Sequence, residues 1–210
     1  MTTDEIDIPI KGLTLKGNLT LPQKASMLVI FSHGSGSSRF SERNNHVASI
    51  LNENNMATLL VDLLTVEEDG IYGNRFDIDL LTSRLIAVTK FVQKSTRLKH
   101  FNIGYFGAST GAASAIKAAS QLKKAIRAIV SRGGRPDLAD SDLKFVKAPT
   151  LLIVGSLDDV VIELNEQAIN QLKCDKELKI VIGASHLFEE SGKLDEVAHL
   201  ANEWFLKYGN

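Results

Sequence analysis

Ser109 lies at the centre of Gly107-Ala108-Ser109-Thr110-Gly111, directly after the apolar run Phe101 to Phe106. A segment of small residues follows: Ala112, Ala113, Ala115, Ile116, Ala118 and Ala119. The pattern is G-x-S-x-G, in which a sharp strand-to-helix turn lifts a serine hydroxyl above a sheet. Side chains at the two glycine positions would collide with neighbouring backbone. Five residues are weak by themselves, and a serine in this place can also be a helix N-cap. The preceding strand and the small-residue helix favour the nucleophile.

A serine hydroxyl attacks poorly at its free pKa and needs a base. His186 follows the apolar run Leu178 to Ile182 and is the candidate. An imidazole base needs a carboxylate to orient it, and two adjacent ones, Asp158 and Asp159, follow Thr150 to Gly155. Asp158 is assigned to His186, because Asp159 is placed to cap a helix beginning near Val160. An oxyanion needs backbone donors: the N–H after the nucleophile, Thr110, and one from Ser32-His33-Gly34-Ser35-Gly36, assigned to Ser35. His46, His100 and His199 fall inside or at the start of expected elements, and His33 is read as shaping its loop. The chemistry implied is acyl transfer through a covalent serine ester.

These groups work only if the fold brings them to one edge. Short apolar runs (Met27 to Phe31, Ala57 to Val61, Phe101 to Phe106, Ala125 to Val130, Thr150 to Val154, Leu178 to Ile182) read as strands of a parallel sheet covered on both faces. Helical stripes separate them: Ile78, Leu81, Leu85, Val88, Val92; Val161, Leu164, Ala168, Leu172; and Leu194, Val197, Ala201, Trp204, Tyr208. Glu5 to Ile10 and Gly12 to Leu21 read as a leading antiparallel pair. The class is α/β, and ligands in such sheets bind beyond the carboxyl ends of the strands. Each candidate residue follows a strand at that edge. The acidic Glu67-Glu68-Asp69 is read as part of a solvated loop over Thr65 to Asn74.

With 210 residues, 24 Lys plus Arg and 25 Asp plus Glu, the net charge is −1. That balance argues against a nucleic-acid binder and against a polybasic membrane surface. A single cysteine, Cys174, excludes an intrachain disulfide and a Cys-rich zinc site, and is read as a buried structural thiol. The acidic N-terminus lacks the features of a signal peptide, and no apolar run approaches the ~20 residues of a membrane helix. The expected compartment is the cytoplasm.

On Leu15-Lys-Gly-Asn-Leu19, Ser32 to Arg39, Gly104 to Gly111, Pro149 to Gly155 and Ala184 to Phe188, the sequence resembles the α/β-hydrolase superfamily, in its small dienelactone hydrolase-like branch. The order Ser109, Asp158, His186 is that superfamily's order. The resemblance implies one α/β-hydrolase domain over residues 1–210, with about eight strands and the second antiparallel. It implies hydrolysis of a small ester or lactone without metal or organic cofactor. Dienelactone hydrolases proper use cysteine where this chain has Ser109, so dienelactone itself is not implied. Similar domains occur fused to phosphoribosyltransferases, for which this length leaves no room.

Only 18 residues, Arg132 to Pro149, stand where this superfamily carries a cap, so an open or shallow site is expected, partly rimmed by Thr65 to Asn74. Arg39, Arg132 and Arg135 are expected at the catalytic edge, either binding an anionic acyl group or bracing carboxylates such as Asp137. Two rivals differ in class. A dinucleotide fingerprint starting at Gly34-Ser35-Gly36 fails because Arg39 occupies the third glycine position. A hydrolase fold used as a small-molecule receptor or binding module, without turnover, remains open, as does thioester cleavage.

Overall fold

The computed structural model describes residues 2–209. Eight strands form one sheet: β1 (Thr3–Ile10), β2 (Leu13–Thr20), β3 (Met27–Ser32), β4 (Ala57–Val61), β5 (Asn102–Ala108), β6 (Ile126–Arg132), β7 (Thr150–Gly155) and β8 (Lys176–Val181), in the order β1-β2-β4-β3-β5-β6-β7-β8. β2 runs antiparallel to β1 and β4, and every other pairing is parallel.

The helices are α1 (Glu42–Glu53), a single turn α2 (Val66–Asp69), α3 (Ile78–Lys94), α4 (Thr110–Leu122), α5 (Asp159–Gln171) and α6 (Lys193–Tyr208). Strand alternation sorts the core into two layers. On β3, Leu28 and Ile30 face the apolar stripes of α3, α4 and α5, whereas Met27, Val29 and Phe31 face α1 and α6. A strand buried on both faces must be apolar at every position, which is why these runs do not alternate with polar residues.

Two expectations need correction. The last strand spans Lys176–Val181, one or two residues earlier than Leu178 to Ile182, and it is an edge: only Val181 is buried, and Ile182 lies beyond it in solvent. The acidic run is also no loose loop. Thr65 Oγ1 accepts the Glu68 N–H, and the Glu68 carboxylate accepts the Thr65 N–H, forming a capping box. Arg84 pairs with Glu68 and Arg75 with Asp69. Acidic side chains suit a helix N-terminus, so the same charges that suggested a solvated segment build a helical turn.

Cys174 follows the end of α5 and is half-buried, with Sγ 3.8 Å from Thr150 Oγ1; burial pushes its thiol pKa up. Among the described residues no helix is long and apolar enough to cross a membrane.

Candidate active site

The turn from β5 into α4 holds Ser109 at φ 51° and ψ −122°, a left-handed backbone that costs a non-glycine residue about 1–3 kcal/mol. Backbone bonds hold it there. Ser109 N–H donates to Arg132 O at 3.2 Å, and Arg135 N–H donates to Ser109 O at 3.1 Å. The flanking glycines are sterically required. A Cβ on Gly111 would lie 2.1 Å from Ser32 O, and one on Gly107 would lie 2.5 Å from the Ala112 Cα. The elbow is thus wedged between the end of β3 and the first turn of α4.

His186 Nδ1 lies 2.6 Å from Asp158 Oδ2. Their loops approach closely: Leu157 N–H donates to Ala184 O at 3.0 Å, and a Cβ on Gly155 would lie 2.3 Å from that same oxygen. The turn after His186 is pinned by Phe188, fully buried at φ 58°, and by Glu190, whose carboxylate accepts the Ser185 N–H at 3.1 Å. Asp159 is the first residue of α5 and is exposed; it is not the N-cap, which is Asp158 itself.

Ser109 and His186 line one cleft of about 200 Å³, with Gly34, Ser35, Arg43 and Arg132 among its walls. With Nδ1 on Asp158, the other imidazole nitrogen, Nε2, takes no part in that contact. The Thr110 N–H lies in the first turn of α4, where no helical carbonyl precedes it. The expected second donor is differently engaged. Ser35 N–H donates to Thr110 Oγ1 at 2.9 Å, so the loop is tied to the elbow and this N–H is shared with a side-chain acceptor.

His33 fixes that loop from below. Its Nδ1 bonds Gly34 O at 2.9 Å and its Nε2 accepts the Leu63 N–H at 3.3 Å, the pattern of a neutral ring. Burial lowers its pKa, against smaller opposing effects from Gly34, Asp62 and Asp69. Of the other histidines, His46 pairs with Asp195 at the surface and His100 stacks on Phe101.

The three arginines separate. Arg39 is bound to Asp62 and, at 3.0 Å, to Glu5; it braces the start of the sheet and does not line the cleft. Arg135 is held by Asp137 in a two-point contact at 2.8 and 2.9 Å, and only its backbone serves the elbow. Both are therefore braces, because a carboxylate two residues away or across the sheet captures the fork. Arg132 alone lines the cleft, next to Arg43 and Asn44, which sequence reading passed over. Nothing local marks Arg43: it sits in the first turn of a surface helix, and its relation to Arg132 is long-range.

The expected rim is displaced. Thr65, Val66 and Asp69 line an adjacent hollow that shares Ser37 with the cleft. Residues 132–149 form a 3₁₀ segment, Pro136–Phe145, against α4, with Ala139 and Leu143 in the core, so they do not roof the site. Among the described residues no group of three or more His, Cys, Asp or Glu is disposed to hold a metal ion.

No family model matches the chain. Among solved structures, a dienelactone hydrolase from Anabaena variabilis is 50% identical, with a TM-score of 0.97 over 100% of this chain and 99% of that one. The Est1E protein of Butyrivibrio proteoclasticus shares the fold at 18% identity and TM-score 0.81, over 97% of this chain and 98% of that one. Two Mycobacterium tuberculosis proteins named as phosphoribosyl transferases are 50% identical over 207 residues, 98% of this chain. The chain spans only 46% of the length of those relatives.

Proposed function

The chain belongs to the dienelactone hydrolase-like family of the α/β-hydrolase superfamily, and from that premise we propose that it is a serine hydrolase of small esters or lactones. The observation that carries this reading is the strained Ser109 elbow sharing a cleft with a His186 held 2.6 Å from Asp158.

In the proposed reaction His186 Nε2 accepts the Ser109 proton as Oγ bonds to the acyl carbon. Asp158 holds the imidazole and balances its charge. The carbonyl π electrons move onto oxygen, facing the Thr110 N–H and the loop of Ser35. Collapse expels the alkoxide, which takes the proton from His186. Water then repeats the sequence, releasing acid and free Ser109. In a lactone, alcohol and acid leave as one molecule. Thioesters follow the same path with a thiolate leaving group.

The small cleft favours short acyl chains: drug-sized pockets are about 300–1,000 Å³. We assign the phosphoribosyl-transfer name of the longer relatives to the part of them that this chain does not span, since the hydrolase neighbour accounts for this chain along its whole length.

Intact-mass spectrometry after incubation with a fluorophosphonate tests the assignment. One adduct on wild type and none on Ser109→Ala is expected, followed by turnover in a short-chain ester and lactone panel. Folded wild type that stays unlabelled and inert would favour the receptor reading.

A further inference from the structure

Arg132 closes β6 and lines the cleft beside Ser109 and His186, yet only 6% of it is exposed. A buried guanidinium ordinarily finds a carboxylate, because an unpaired charge out of water is costly. Arg132 has none within 4.0 Å among the described residues. Its Nη2 donates to Asn44 Oδ1 at 3.1 Å, a neutral acceptor, and its Nε has no partner.

A second cation, Arg43, shares the cleft with Arg132. Burial first, and then Arg43, pull the Arg132 pKa down to about 10, which still leaves it protonated at neutral pH. Arg43 lines the same cleft, and its Nε is also buried and unpartnered. Its carboxylate partner among the described residues, Glu189 at 2.9 Å, is 61% exposed, where solvent screens much of the pairing. The inner side of the cleft therefore holds two positive charges and little to offset them.

The surrounding groups add donors. Ser35, Ser37 and Ser41 line the same cleft. Ser41 caps α1, a 12-residue helix whose first turn, carrying Arg43 and Asn44, forms one wall and directs its positive end there. A carboxylate offers one charge and two oxygens. A phosphate offers about 1.5 to 2 charges and three acceptor oxygens, which matches two guanidinium forks and several hydroxyls better.

We propose that Arg132 and Arg43 form a phosphate subsite beside the nucleophile, so that the preferred substrates are small esters or lactones carrying a phosphate or phosphonate group. This rests on the ester-hydrolase reading above and names its substrate class. Arg39 and Arg135 take no part, being occupied by their own carboxylates.

The test uses three 4-nitrophenyl acyl esters of similar length: 3-phosphonopropionate, succinate and butyrate. The phosphono ester should exceed butyrate in kcat/KM by about 10–100-fold, the range of a charge-assisted contact, with succinate between them. Arg132→Gln and Arg43→Gln should each lower the phosphono-to-butyrate ratio about tenfold or more. Arg43→Gln, on a half-exposed helix position, keeps the question answerable if Arg132→Gln does not fold.

Calorimetry with inorganic phosphate on Ser109→Ala, and on the same chain with Arg43→Gln added, reads the subsite without turnover. Binding that the second substitution abolishes is expected. Equal rates on all three esters, or succinate at or above the phosphono ester, would overturn the proposal. Phosphate binding in a protein that hydrolyses no ester would sink the hydrolase reading and leave the subsite standing.

Discussion

Asp158 occupies the N-cap position of α5, yet its carboxylate caps nothing and lies 2.6 Å from His186 Nδ1. An N-cap aspartate ordinarily accepts an N–H of the first turn, worth about 1 kcal/mol. Here that local stabilisation is given up for a contact 28 residues away in sequence. A side chain that departs from its local role in favour of a distant imidazole is the behaviour expected of a functional position.

Asp158→Asn should leave the fold intact and lower kcat by about 10²–10⁴-fold, because the imidazole loses its orienting charge and its preferred tautomer. Asp159→Asn, exposed at the start of α5, should change kcat less than about twofold. Steady-state kinetics on the best short-chain ester compares the two directly. Equal losses would contradict the assignment of Asp158.

Thr110→Val removes the hydroxyl that accepts the Ser35 N–H and frees the loop from the elbow. A lost hydrogen bond of about 1 kcal/mol predicts a kcat several-fold to tenfold lower with KM little changed, and Thr110→Ser should recover it. A rise in kcat for Thr110→Val would mean that the hydroxyl competes with substrate for this donor.

His33 makes stability depend on pH. Burial holds its folded pKa below the value of about 6.5 for a free imidazole, so between the two values the unfolded chain binds more protons. Its contribution is complete above about 6.5 and is lost as pH falls through the folded value. Urea midpoints at pH 7.5 and 5.5 should differ less in His33→Gln than in wild type. An undiminished difference would assign the effect to other groups.

Arg39→Ala should act on stability and not on substrate. Its side chain is 13% exposed and its partner Asp62 19%, so breaking the pair is expected to cost about 1–3 kcal/mol. The ratio of kcat/KM for anionic over neutral esters should stay at the wild-type value. A selective loss on anionic esters would return Arg39 to the cleft.

The sequence alone carried the order of strands and helices, because a sheet buried on both faces leaves continuous apolar runs, and it carried the elbow, because glycine spacing records a backbone collision. Ser109, Asp158 and His186 stand out as candidates for the same local reason: each follows a strand at one edge. The edge exposure of β8 was not legible, since apolar Ile180 and Ile182 read the same whether covered or bare. The helical turn in the acidic run was legible in Thr65-Val66-Glu67-Glu68, a capping-box spacing that a reading by charge alone passes over, and Arg75 and Arg84 add their pairs from later segments.

The arginines show where tertiary structure decides. Sequence placed Arg39, Arg132 and Arg135 alike near the catalytic edge. Only the fold could give Asp62 and Glu5 to the first, Asp137 to the third, and to the second a buried place with Asn44 and, among the described residues, no carboxylate. The same holds for the Ser35 N–H on Thr110, which joins residues 75 apart. Composition and periodicity report what each residue prefers. Which partner satisfies a buried donor or charge is settled by contacts between distant segments, and those are fixed only when the chain closes.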